Sequence, residues 1–129
     1  MTNQDKLEGL KKFLQENGLK YFEKYRSHTF KVTMDLKVRK LRIAVFISDG
    51  DPKHENALVY ATKRNRKYYF ARVYNPFFIR ESDSMEFIIE KMQNTIIKRM
   101  MQAQKRWQKE QRHKEKNNDK KEIRQEERY

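Results

Sequence analysis

Two kinds of hydrophobic periodicity alternate along this chain. Leucines at helical spacing predict a first helix near residues 4–16, which Asn17-Gly18 would end. Period-two alternation then predicts three strands, near residues 19–26, 28–36 and 41–48. Apolar residues occupy both sets of alternate positions in Ile43–Ile47, which indicates that the third strand is buried on both faces.

The second half of the pattern predicts a helix, a strand and a long helix. The basic segment 37–40 connects the second and third strands and favours an antiparallel hairpin. A short helix is predicted over 54–67 and a strand over 68–75, which Asn75-Pro76 would end. A final apolar stripe at steps of three or four predicts a helix from about 83 to 107. The stripe comprises Met85, Ile88, Met92, Ile96, Met100, Ala103 and Trp107.

The predicted order of elements is helix, three strands, helix, strand and long helix. This order is typical of an α/β domain, or of an α+β domain, with a small mixed sheet flanked by helices. We expect residues 1–107 to form a compact basic domain that includes the long helix. Residues 108–129 consist almost entirely of charged and amide side chains. They are either a helical extension held by i,i+4 charge pairs or disordered.

Net charge narrows the classes of partner. The chain has 31 Lys and Arg against 18 Asp and Glu, a formal charge of +13 on 129 residues. Such a surplus attracts polyanions, and nucleic acid is favoured because each neutralised phosphate releases condensed counterions. An acidic protein partner, a membrane surface, or a merely charge-rich surface are the alternatives.

Composition and hydropathy argue against disulfides, thiolate metal sites and membrane-spanning segments. The chain has no cysteine, so disulfides and thiolate metal sites are excluded. The longest apolar run, Ile43–Ile47, is far too short to cross a bilayer. The first residues are polar and have no hydrophobic signal segment. We therefore expect a cytoplasmic protein that does not associate with membranes.

Two basic clusters lie at predicted connections, where phosphate contact is the functional interpretation and a solvated surface the alternative. The first contains Lys37, Arg39, Lys40 and Arg42, and the second contains Lys63, Arg64, Arg66 and Lys67. Cations at a helix C-terminus also interact favourably with the helix dipole without any ligand. The predicted strand 68–75 places Tyr68, Phe70, Arg72 and Tyr74 on one face. Such a face can stack on bases or pack in the core.

Acidic residues and a histidine surround the end of the apolar strand Leu41–Ile47. Asp49-Gly50 follows this strand and His54 comes five residues after Asp49, while Asp35 lies on the preceding strand. Carboxylate oxygens from two strands are the ligands that Mg²⁺ requires, so Asp35 and Asp49 are candidate metal ligands. Bound Mg²⁺ can activate water for phosphodiester hydrolysis, and His54 is a candidate general acid or base. The alternative is that Asp49-Gly50-Asp51-Pro52 is only a turn.

The segment LRIAVFISDGDPKH resembles the metal-site strand of the very-short-patch-repair endonucleases, which belong to the PD-(D/E)xK nuclease superfold. In that family an apolar strand ends in Asp-Gly and a His follows, a basic helix comes next, and an aromatic strand with Arg succeeds it. The resemblance covers about residues 28–75. It implies a nuclease-like fold with Asp35, Asp49 and His54 as catalytic residues. The superfold's Glu-x-Lys pair and the family's zinc-binding cysteines are absent here.

These observations predict a protein that binds nucleic acid, most simply DNA with weak sequence preference, since no recognition helix or zinc finger is evident. Its phosphate contacts would be the two basic clusters and Arg72. One alternative is a Mg²⁺-dependent DNA endonuclease. Another is an interaction module that acts through the C-terminal helix, which could also form a homodimer.

Overall fold

A computed structural model describes residues 1–27, 31–63 and 73–127 of the chain and contains the predicted order of elements. The elements are α1 (Asn3–Glu16), β1 (Phe22–Ser27), β2 (Val32–Val38), β3 (Ile43–Ile47), α2 (Pro52–Lys63), β4 (Asn75–Ile79) and α3 (Met85–Glu127). The predicted fold class, a small mixed sheet flanked by helices, is confirmed.

The four strands lie in the sheet in chain order. β1 pairs antiparallel with β2, and β2 pairs antiparallel with β3, so the predicted hairpin is confirmed. β4 instead pairs parallel with β3, with Ile43 opposite Asn75 and Ile47 opposite Ile79. A parallel neighbour requires a crossover connection, which α2 provides. The C-terminus of α2 therefore returns to the end of the sheet at which β3 and β4 both begin.

β3 is the centre of the core, and burial on both of its faces is confirmed. Ile43, Ala44 and Val45 have no exposed surface and Phe46 is 2% exposed. On one face Phe46 stacks on Phe78 of β4, and Leu58 and Val59 of α2 pack against the cluster that contains them. Complete burial of one such side chain contributes about 1.5–3 kcal/mol, so a polar residue in this strand would destabilise the whole sheet.

The predicted first helix is also confirmed, and its start is fixed by local hydrogen bonds. The Thr2 hydroxyl accepts from the Asp5 backbone N–H, and the Asp5 carboxylate accepts from the Thr2 N–H. This capping box satisfies two amides that the helix itself leaves unpaired. The leucines of the helical stripe are buried, with Leu10 and Leu14 completely inaccessible.

The interpretation of Asn75-Pro76 as the end of a strand is wrong. Residues 68–72, which are most of the predicted strand 68–75, lie outside the described residues, and Asn75–Ile79 is β4. The Asn75 N–H donates to the Arg42 carbonyl at 2.7 Å, so by alternation the nitrogen of Pro76 faces away from β3. Proline is tolerated there because β3 requires no donor from it.

The chain divides into two compact units, Met1–Asn94 and Thr95–Tyr129, and α3 contributes to both. In the first unit the α3 stripe is core, because Ile88 and Met92 are fully buried. In the second unit the large apolar side chains Ile97, Met100, Met101 and Trp107 are exposed. Homodimer formation through this helix stays a prediction. No helix in the described ranges combines the length and the apolarity needed to cross a bilayer.

Candidate nucleic-acid interface and Asp–His cleft

The first predicted basic cluster and the beginning of the second meet at one end of the sheet. Two backbone hydrogen bonds bring them together: Asn75 N–H donates to the Arg42 carbonyl at 2.7 Å, and Tyr74 N–H donates to the Thr62 carbonyl at 3.1 Å. The β2–β3 connection and the end of α2 therefore border the start of β4. We call this region the basic end of the sheet, and it contains Lys37, Arg39, Lys40, Arg42 and Lys63.

The cations of the basic end differ in how accessible they are to a ligand. Arg39, Lys40 and Lys63 are exposed, and none has a carboxylate partner among the described residues. Arg42 is half-buried with a left-handed backbone (φ 54°), which the tight β2–β3 turn requires. Lys63 lies in the last turn of α2, where it also interacts favourably with the helix dipole.

Lys37 lies on β2 rather than in the connection where the sequence suggested it. Its Nζ is 3.7 Å from the centroid of the Tyr25 ring and 5.7 Å from that of Tyr74. Tyr74 is only 9% exposed and belongs to the core cluster, so packing is the better interpretation for that ring. The sequence predicted no role for Tyr25, because alternation alone gave β1 a weak signal.

Part of the predicted interface lies outside the residues that the structure describes. Its remaining cations lie outside the described residues, as do two of the aromatic residues predicted beside them. These are Arg64, Arg66, Lys67 and Arg72, with Tyr68 and Phe70.

The predicted catalytic residues lie at the opposite end of the sheet, where β3 ends. The half-buried Asp35 accepts a hydrogen bond through Oδ2 from the Ile47 backbone N–H at 2.7 Å. The ladder between β2 and β3 ends at the Leu36–Val45 pair, so the Asp35 side chain supplies an acceptor that the β2 backbone no longer provides. This bond gives Asp35 a structural role that the sequence did not indicate.

Asp49 and His54 form an exposed hydrogen-bonded pair beyond the end of β3. The His54 Nδ1 is 2.9 Å from Asp49 Oδ2, while Asp49 Oδ1 accepts from the Asp51 N–H at 3.0 Å. The Asp51 amide first, and His54 second, hold the pKa of the Asp49 carboxyl below its usual value. Asp51 in turn caps α2 by accepting from the Lys53 N–H at 2.9 Å. The Asp-Gly-Asp-Pro segment is thus a turn that also orients His54.

Asp35 and His54 line one open cleft of about 340 Å³. Two cations that the sequence analysis did not select, Arg26 and Lys31, also line it, together with Val32, Thr33, Phe46, Ile47 and Leu58. We call this the Asp–His cleft. Asp49 does not line the cleft, but it contacts His54, which does. Within the described ranges, no group of three or more His, Asp or Glu side chains is placed to hold a metal ion.

A second network joins three elements at this end of the sheet. The Arg80 guanidinium donates to both carboxylate oxygens of Glu55, at 2.9 and 3.1 Å, and the Ser48 hydroxyl donates to the same carboxylate. Arg80 first, and Ser48 second, lower the pKa of the Glu55 carboxyl. Because Ser48 follows β3, Glu55 belongs to α2 and Arg80 follows β4, the network fixes three elements at one point.

The structure therefore brings together Arg39, Lys40, Arg42 and Lys63 at one end of the sheet, and Asp35 and His54 at the other. The meeting of the cations was not evident from the sequence, since it depends on the parallel crossover, whereas the sequence had already suggested Asp35 and His54 as members of one site. Comparison with protein-family models, curated proteins and solved structures gives no match to this chain.

Proposed function

We propose that this protein binds nucleic acid through the basic end of the sheet. The observation that carries the proposal is the meeting of the β2–β3 connection and the α2 C-terminus, which gathers Arg39, Lys40 and Lys63 at one end. Clustered cations without carboxylate partners form the electrostatic footprint expected of a phosphate-binding surface. The chain's formal charge of +13 adds a long-range field that speeds encounter with a polyanion.

The affinity for nucleic acid should depend steeply on salt. Neutralising each duplex phosphate contributes about −0.9 to the slope of log K against log salt concentration. Three or four contacts at the basic end therefore predict a slope of about −3. Fluorescence anisotropy with a labelled duplex, titrated from about 50 to 200 mM salt, measures this slope.

A matched pair of charge reversals tests where the contacts lie. Lys40→Glu changes an exposed lysine of the basic end, and Lys12→Glu makes the same change at an exposed lysine of α1. We expect Lys40→Glu to weaken binding and to reduce the slope by about one or more, and Lys12→Glu to have a much smaller effect. Equal effects of the two variants would contradict this location, and no binding of either duplex or single strand at low salt would contradict the function itself.

A Mg²⁺-dependent endonuclease is a second candidate, supported by the Asp–His cleft. The Asp49 carboxylate 2.9 Å from His54 Nδ1 favours the tautomer with its proton on that nitrogen, which leaves Nε2 able to accept a proton from water. If Mg²⁺ binds here, Asp35 Oδ1 and the Asp49 carboxylate are the oxygens that would hold it, and the ion would stabilise charge on the phosphate.

Plasmid nicking with Mg²⁺ or Mn²⁺ tests the endonuclease. Nicking that is lost in Asp49→Ala and in His54→Ala, but retained in Lys12→Glu, would support it. Nicking that persists in Asp49→Ala would identify a contaminant, and no nicking with either metal would leave binding as the function.

A further inference from the structure

One aromatic side chain near the basic end is exposed without an evident structural reason. Phe22 lies at the start of β1, opposite Lys37 in the β1–β2 register, and is 49% exposed. Its ring centroid is 6.2 Å from that of Tyr25, with the two planes tilted by 53°. Among the described strands, β1 has β2 as its sole neighbour, so Phe22 lies at the margin of the sheet.

An irregularity in β1 explains why these two rings are neighbours. Residues three apart on a regular strand point to opposite faces. Lys24, between Phe22 and Tyr25, has a left-handed backbone (φ 44°), which interrupts the alternation. Both rings consequently lie beside Lys37, whose Nζ is 3.7 Å from the Tyr25 centroid. A non-glycine residue in this conformation is uncommon, and such residues are concentrated at functional sites.

We infer that Phe22 stacks on an unpaired base, so that the basic end holds single-stranded nucleic acid in preference to duplex. The inference rests on the proposed function and deepens it by naming the form of the ligand. Tyr25 contacts the Phe22 ring with its plane tilted by 53°, and Lys37 supplies positive charge beside it. The one acidic neighbour in β1, Glu23, is paired with Lys11 at 2.6 Å, so the surroundings of the ring remain positive.

Physical chemistry favours a base over other occupants of this surface. Bases in a duplex are already stacked, and an exposed ring reaches only a base that is unpaired. A positively charged surface with an aromatic ring binds single strands by combining phosphate contact with base stacking. A hydrophobic protein partner would have to cover Phe22 together with the cations around it, at a desolvation cost that a phosphate backbone does not impose.

The experiment compares three labelled ligands by anisotropy at about 50 mM salt. They are an oligothymidylate of about 20 nucleotides, an abasic strand with the same number of phosphates, and a duplex of the same length. We expect Phe22→Ala to weaken oligothymidylate binding about five-fold or more and to leave abasic-strand binding unchanged. Phe22→Trp should restore the affinity for oligothymidylate, and wild type should prefer oligothymidylate to the duplex.

Phe87→Ala is the matched control, because Phe87 is 48% exposed on α3 and should not affect either ligand. Phe22→Leu tests whether the ring, rather than apolar bulk, is needed. Unchanged oligothymidylate binding in Phe22→Ala, or an equal loss on the abasic strand, would overturn stacking while leaving phosphate binding intact. A duplex that binds as tightly as oligothymidylate would overturn the preference. Failure of every ligand to bind would overturn the proposed function, and this inference with it.

Discussion

Replacing Asp35 separates its structural contribution from any catalytic one. Its carboxylate accepts the Ile47 N–H at 2.7 Å, the short length typical of a charge-assisted hydrogen bond. In Asp35→Ala the amide loses its acceptor at a half-buried position, whereas Asp35→Asn keeps a neutral oxygen in the same place. The two variants should therefore differ in stability, although both remove the negative charge.

The expected loss of stability in each variant follows from the type of hydrogen bond that Asp35 makes. A hydrogen bond to a charged group contributes about 1.5–3 kcal/mol net, so Asp35→Ala should lower the free energy of unfolding by about 2 kcal/mol. Neutral hydrogen bonds are roughly half as strong, so Asp35→Asn should cost about 1 kcal/mol. For a domain of this size, about 2 kcal/mol corresponds to a decrease of about 10 °C in Tm.

Urea denaturation followed by circular dichroism measures the stabilities, and amide hydrogen exchange at Ile47 measures the local effect. We expect faster Ile47 exchange in Asp35→Ala, with Asp35→Asn intermediate. The exposed Glu16→Ala serves as a control and should stay within about 0.5 kcal/mol of wild type. Wild-type stability and Ile47 exchange in Asp35→Ala would refute the reasoning.

Three further substitutions test the contacts that hold α2 in place and the core around β3. Glu55→Gln removes the anion paired with Arg80 and should cost about 1 kcal/mol at neutral pH. The pKa of Glu55 in the folded protein is lowered from 4.5, so its contribution to stability is present above that pH and is lost as the pH falls through the lowered pKa. The free energies of unfolding of wild type and Glu55→Gln, measured by urea denaturation, should therefore converge in acid. Asp51→Ala removes the α2 cap and should cost about 1 kcal/mol, and a Cm equal to wild type would argue against the cap. Phe46→Ala should cost about 3–5 kcal/mol, and a loss below 1 kcal/mol would show that the core around β3 is not as described.

Local pattern predicted the elements whose burial follows directly from periodicity. The leucines of α1 at helical spacing and the unbroken apolar run of β3 each indicate one structure whatever surrounds them. β4 was misplaced because Pro76 is a strong local breaker, and its tolerance depends on which edge of the strand faces β3. That choice is made by a long-range parallel pairing, which no local window contains.

The candidate surfaces were predictable only in part. The charges at 37–42 and 63–67 were evident in the sequence, but their meeting depends on the α2 crossover. The Asp35–Ile47 bond depends on where the β2–β3 ladder stops. Phe22 and Tyr25 share a face because Lys24 adopts φ 44°, a conformation that its residue type does not predict.

The most direct test of the central proposal is an NMR titration of the labelled protein with oligothymidylate at about 50 mM salt. The largest amide shift changes are predicted in the β2–β3 connection at Arg39 and Lys40, at Lys63, and around Phe22, with α1 and the Asp51–Lys53 turn unaffected. Changes that spread evenly over the surface, or an unchanged spectrum, would contradict a phosphate-binding basic end.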